Sequence, residues 1–120
     1  MPEYPAIALI ELSSIAAGMH TADAMLKKAS LAMVKAGTVQ RGRYLVLVGG
    51  SVGAVNESYA EGLRVGAHAV LDSVILPEVH PAVHDAVLGT RLSEPRDALG
   101  VIETSTVAAV VHAADAGIKA

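Results

Sequence analysis

Two histidines one helical turn apart, His80 and His84, with Asp85 beside the second, have the spacing of ligands that share a metal ion. No Cys occurs in the chain and no Glu stands in an HExxH arrangement, so the ordinary reading is two polar residues on an exposed helix face. Gly49-Gly50-Ser51-Val52-Gly53 resembles the glycine turn that cradles phosphate at a helix N-terminus. It lacks the lysine of a P-loop, and a strand-to-helix turn that needs glycine's freedom explains it equally simply. Glu11 and Glu103 invite comparison with paired carboxylates in acid–base work. They are repeat mates, as are His20 and His112, and a hydrogen-bonded structural Glu near a strand end is the simpler reading. No nucleophile–base pair accompanies any of these groups, so no catalytic residue, metal or cofactor is expected.

The bulk composition narrows the classes further. The chain has 120 residues, of which 52% are hydrophobic and 18% charged, and it carries no Cys, Trp or Phe. That length fits one domain with a core of its own, and the apolar bias argues against disorder. A net charge of −3, with aromatics at 2%, leaves no means of neutralising phosphates or stacking bases, so no nucleic-acid partner is expected. No apolar run approaches the roughly 20 residues that span a bilayer. Met1-Pro2-Glu3-Tyr4-Pro5 lacks the basic start of a signal peptide, and the absence of Cys suits a reducing cytosol. The apolar residues are mostly Ala and Val. Such side chains bury little area each, which points to an oligomer that covers the remaining apolar surface.

An internal repeat organises the chain. Residues 8–28, ALIELSSIAAGMHTADAMLKK, align without a gap on residues 100–120, GVIETSTVAAVVHAADAGIKA. Ten of the twenty-one positions are identical, among them Glu11/Glu103, His20/His112, Asp23/Asp115 and Lys27/Lys119. The chain thus holds one complete unit and the opening of a second.

Local patterns place the elements. Ala6–Leu12 reads as a buried strand, and Ser13 or Ser14 can cap the helix after it. Ile15, Met19, Ala22, Leu26 and Ala29 give that helix an apolar face, with Asp23 and Lys27 paired at i,i+4 on its other side. Leu31–Val39 and Arg43–Val48 read as strands joined by a hairpin turn at Gln40-Arg41-Gly42. A second helix follows, with Val52, Val55, Tyr59, Leu63 and Gly66 facing inward. A strand over Ala69–Leu76 closes at Pro77, and a short helix over Pro81–Leu88 follows. Residues 90–96 read as a linker. Asp97–Thr104 then repeats the first strand and Thr106–Ala120 the first helix. The expected fold is α+β: an α/β sandwich of order β-α-β-β-α-β-α, related to the ferredoxin-like split βαβ plan, followed by β-α.

Several of these pieces, in this order, resemble the bacterial microcompartment (BMC) shell protein domain. They are Ala8–Glu11, the helix TADAMLKKA, the strand-turn-helix RYLVLVGGSVGAV, and the opening ALGVIETSTVAAVVHAADAGIKA. The segment LPEVHPAV followed by a second opening is most similar to tandem-domain shell proteins, which assemble as trimers that mimic hexamers. The resemblance implies a complete domain over 6–89, a linker over 90–96, and a second domain cut short at 97–120. It implies a structural role in a cytoplasmic compartment shell, as a hexameric or trimer-type ring, with other shell proteins and the remainder of the second domain as partners. It also implies site residues. Val39, Gln40, Arg41 and Gly42 would line a central pore, and Lys27, with Asp23, would contact the neighbouring tile; Lys119 matches the Lys27 position. Some tandem members hold an iron–sulfur cluster through a pore cysteine, where this chain has Gln40. The competing expectation is a ferredoxin-like oligomeric regulator that binds a small ligand near Arg41 and Arg43. The apolar tail is expected to pack on the first domain, on a neighbouring subunit, or on the rest of a second domain.

Overall fold

The computed structural model describes residues 5–90 and 97–120. Strand β1 (Ala6–Leu12) is buried along its whole length. Its alternation splits the side chains between two faces. Ala6, Ala8, Ile10 and Leu12 enter one apolar cluster, while Ile7 and Leu9 enter another on the opposite side. Such a strand must be central, and it is: the antiparallel sheet runs β2-β3-β1-β4, with β2 at Met33–Val39, β3 at Arg43–Gly50 and β4 at Val70–Leu76. This is the order of the split βαβ plan.

Helices α1 (Ile15–Lys28) and α2 (Val52–Gly66) cover the first face. Ser14 and Ser51 cap them, each Oγ accepting a backbone N–H in the first turn. The apolar spacing misjudges the inward face of α1. Gly18, Thr21, Ala22 and Met25 are buried, whereas Ile15, Met19 and Leu26 are 42%, 59% and 53% exposed. Close approach decides this. A Cβ on Gly18 would overlap the ring and Cβ of Tyr44, and a Cβ on Gly66 would sit 2.6 Å from Thr21 Oγ1. Small residues let α1 and α2 settle against the sheet and each other, so Ile15, Met19 and Leu26 point outward and Met25 is the large side chain that α1 buries. On α2, Val55, Ser58, Gly62 and Gly66 are buried, Tyr59 and Leu63 are partly buried, and Val52 is exposed. Buried Ser58 donates its hydroxyl to the Met25 carbonyl, 3.2 Å away.

Helices α3 (Pro81–Val87) and α4 (Val107–Lys119) lie on the second face with Ile7, Leu9, Leu47, Val74 and Leu76. The helical half of the repeat therefore packs on the first domain. The strand expected over Asp97–Thr104 does not form. That stretch is irregular, with Leu99, Val101 and Ile102 exposed at 89%, 77% and 63%. Its apolar residues match Ile7, Leu9 and Ile10 of β1, but both neighbours of β1 are already paired to it, so no vacant position beside them remains for the copy. The linker reading at 90–96 falls almost wholly outside the described residues, as does most of the Met1–Pro5 segment.

Candidate functional site

The turn between β2 and β3 brings Val39, Gln40, Arg41 and Gly42 together at one end of the sheet. Gln40–Gly42 form a tight three-residue turn in which Arg41 and Gly42 both take left-handed backbone angles, φ 65° and 72°. Glycine accepts this readily; for Arg41 it is an uncommon conformation, of the kind found in tight turns. Gln40, Arg41 and Gly42 are exposed, and Val39 is half-buried.

Beside this turn lies a junction centred on Glu11, the hydrogen-bonded structural Glu that the sequence suggests, whose partners on α4 and β3 the sequence did not name. Glu11, the one charged residue of β1, is 1% exposed. Its Oε1 accepts the Ala108 N–H at 2.7 Å, and its Oε2 lies 3.9 Å from Nη1 of Arg43. The carboxylate thus sits at the N-terminus of α4, where unpaired amides and the helix dipole favour negative charge. Arg43 also donates to the Ser105 carbonyl, and the Thr106 hydroxyl donates to Asp72 while accepting from Ala109 N–H. A cavity of about 500 Å³ runs between the turn and this junction, touching Val39, Gln40, Arg43 and Ile102. The signal was present in the sequence: a lone Glu in an otherwise apolar run must find buried partners. Glu103, its repeat mate, is exposed because its strand is not built.

The second candidate pair lies elsewhere. Lys27 Nζ is 2.8 Å from Asp23 Oδ2 on α1, and their side chains are 75% and 58% exposed. They border a shallow depression with His20, Glu61 and Arg64, which shares no residue with the cavity at the turn. Glu61 and Arg64 pair at 2.6 Å. Hydrogen bonding to Arg64 holds the Glu61 carboxyl below its usual range, and the same bond raises Arg64.

The repeat of that pair is used differently. Asp115 is buried and accepts the His80 N–H at 2.9 Å, while Lys119 reaches both Asp115 and the Glu78 carbonyl. Burial opposes the charge on Asp115, but the hydrogen bonds from Lys119 and His80 outweigh it and hold the carboxyl below the ordinary value. The sign follows: a depressed folded pKa gives stability that is present above the unfolded value, about 3.9, and lost as pH falls through the folded one. We therefore expect α4 to loosen below about pH 4, with faster amide exchange over 107–119. The Asp115→Asn variant should lose much of that dependence; an equally steep acid response in the variant would contradict the assignment.

The remaining candidates have structural partners. His80 caps α3, its Nδ1 accepting Ala82 N–H, and His84 Nδ1 lies 2.9 Å from Asp85 Oδ1. Among the described residues no group of three or more His, Cys, Asp or Glu could hold a metal ion. At the glycine turn, Gly50 has φ 156° and a Cβ there would come within 3.2 Å of the Ala32 amide, so tight backbone approach accounts for the glycine. His20 and His112 are exposed.

The fold, a four-stranded antiparallel sheet with helices on both faces, defines a mixed α/β class. The BMC domain model matches residues 6–79, more than half of the chain, and the chain belongs to that family. Among its relatives is the bacterial microcompartment shell protein PduT of Citrobacter freundii, 41% identical over 115 residues, spanning 96% of this chain and 62% of that protein. A crystal structure of a microcompartment protein from Desulfitobacterium hafniense is 39% identical, with a TM-score of 0.75, covering 95% of this chain and 63% of that one. The chain spans just under two thirds of the length of these relatives. Among the described residues no helix is long and apolar enough to cross a membrane.

Proposed function

We propose that this protein is a structural, non-enzymatic subunit of a bacterial microcompartment shell, lying in the cytoplasm as part of that shell. It assembles with copies of itself, and alongside other shell proteins, into hexameric or trimer-type rings that tile a sheet. The observation that carries this reading is the BMC domain over 6–79, joined to a fold of the same plan. Residues 6–89 are the complete domain, 90–96 a linker and 97–120 the opening of a second, tandem domain; the ungapped repeat supports that division. Electron microscopy of the purified protein tests the reading. Flat hexagonal discs or sheets are expected, and compact trimers carrying a bound small ligand would favour the regulator instead.

Within the ring, the turn Val39–Gly42 faces the symmetry axis and lines the pore. Symmetry repeats Arg41 around that axis. Clustered guanidinium groups are tolerable only where water or anions screen them, so the opening is hydrated and prefers anions. Arg41→Ala should bring anion and cation flux through assembled shells towards equality. Unequal flux that persists unchanged in the variant would remove the assignment.

Lys27 and Asp23 meet the neighbouring tile. An exposed i,i+4 pair contributes about 0.2–0.5 kcal/mol to its helix, so Lys27→Glu should leave stability and ring intact. It should still disrupt sheets, because an edge contact recurs at every tile boundary. Sheets of unchanged extent by microscopy would argue against the edge role.

A further inference from the structure

Three elements meet at His80. Its Nδ1 accepts the Ala82 N–H at 3.0 Å and so caps α3. Its own backbone N–H donates to Asp115 Oδ1 of α4 at 2.9 Å. Lys119 bonds the other oxygen of that carboxylate at 2.8 Å and the Glu78 carbonyl at 2.6 Å, so α4 grips the loop that leads out of β4. An apolar cavity of about 740 Å³ lies between α3 and α4. Leu9 and Leu47 form its floor, Val83 and Val87 of α3 one wall, and Val110 and Ile118 of α4 the other. α3 has only seven residues, and a helix this short is marginal without its cap and its packing. Histidine stands here where Ser, Thr, Asp or Asn is the usual choice, which makes the cap depend on a proton. Only an unprotonated ring nitrogen accepts a hydrogen bond, so the neutral ring carries its proton on Nε2. Once the ring gains a second proton both nitrogens are donors, and the Ala82 N–H loses its acceptor.

We propose that His80 is a proton-operated latch on α3: as a neutral imidazole it holds the helix against the apolar cavity, and as an imidazolium it releases the helix and turns to the Asp115 carboxylate. Among the described residues, the charged and titratable groups around it are Glu78 on its own loop, Asp115 and Lys119 on α4, and His84 and Asp85 farther along α3. His84 is engaged with Asp85 at 2.9 Å, and Lys119 is the rival of the imidazolium for Asp115. Two pulls thus oppose each other: the Ala82 amide favours the neutral ring and Asp115 the charged one. The sign follows from the acceptor. The cap is present on the alkaline side of the imidazole titration and lost on the acid side, across the range of about pH 8 to 5 in which histidine changes charge. Asp115 stays ionised over that range, because burial, which opposes its charge, is outweighed by the bonds from Lys119 and His80. The loosening of α4 below about pH 4 is therefore a separate event.

Amide hydrogen exchange over 82–88 in the full chain tests the latch, at about pH 7.5 and about pH 5.5, on either side of the histidine range and with the intrinsic pH dependence of exchange removed. Wild type should exchange about fivefold faster at the lower pH, the effect of one lost capping bond. His80→Asn keeps a capping oxygen that does not titrate and should stay protected at both values. His80→Ala has no cap and should exchange at the fast rate at both. Anilinonaphthalene sulfonate, which takes up exposed apolar surface, reads the cavity. Its binding should rise wherever exchange does, including His80→Ala at the higher pH, where no proton has been added. Heteronuclear NMR of the ring should find the Nε2–H tautomer at the higher pH. A wild-type α3 equally protected at both pH values overturns the latch, and so does an Nδ1–H tautomer. A response that persists in His80→Asn belongs to His84 or another group and overturns it as well. Dye binding that ignores the opening of α3 overturns the part of the proposal in which the helix closes the cavity.

Discussion

Glu11→Ala should release α4 from the sheet and lower the stability of the fold by about 2–3 kcal/mol. The figure follows from the partners it abandons. A buried hydrogen bond to a charged group contributes about 1.5–3 kcal/mol, and a buried amide left without an acceptor costs about 1–3. The Ala108 N–H would be such an amide, because Glu11 Oε1 is its acceptor at 2.7 Å and Ala108 is 1% exposed. Arg43 adds less, since its contact is 3.9 Å long and its side chain is 28% exposed. Glu11→Gln keeps an oxygen at the same place and should lose only part of the effect. Hydrogen exchange over 107–119 reads this directly, alongside urea unfolding. If those amides stay protected in Glu11→Ala, the carboxylate does not hold the helix.

Gly18→Ala should destabilise by up to about 2 kcal/mol net, against the general trend for helices. In an ordinary helix interior Ala is better than Gly by about 1 kcal/mol. Here the new methyl would occupy the space of the Tyr44 ring and Cβ, and overpacking of this kind typically costs about 1–3 kcal/mol. The neighbour cannot withdraw easily, because Tyr44 lies on β3 and its Cβ is itself one of the overlapping atoms. Placing the same substitution in a Tyr44→Ala background should remove most of the penalty. The coupling between the two sites is then the measured quantity, and strictly additive effects in the double variant would contradict the contact.

These two positions also show where sequence patterning reached its limit. β1 was legible as a buried strand because seven residues with a single charge leave no polar face, and the βαββαβ order followed from strand and helix periods; its central place in the sheet came from the structure. The turn at Gln40–Gly42 was equally plain, and the cap of α1 was narrowed to Ser13 or Ser14, since their chemistry is local; that Ser51 caps α2 came only from the structure. The face of α1 was not legible either. Large apolar residues at helical spacing suggested Ile15, Met19 and Leu26 as core, but the core face is chosen by how near two elements come, and Gly18, Gly62 and Gly66 permit an approach that only small residues allow. Periodicity weighs hydrophobicity; it does not weigh the volume of the partner.

The repeat divides along the same line. That 8–28 and 100–120 are copies, down to Glu, His, Asp and Lys, is a property of the sequence alone, and so is the family resemblance it carries. What each copy does was decided by tertiary structure. β1 finds strands on both sides and is buried, whereas its copy at 97–104 meets a sheet whose central place is taken and stays irregular. Asp23 and Lys27 remain in water, whereas Asp115 and Lys119 clasp the loop between β4 and α3. Identical residues diverge because a strand or a helix face is stabilised by what covers it, and the two copies are covered by different neighbours.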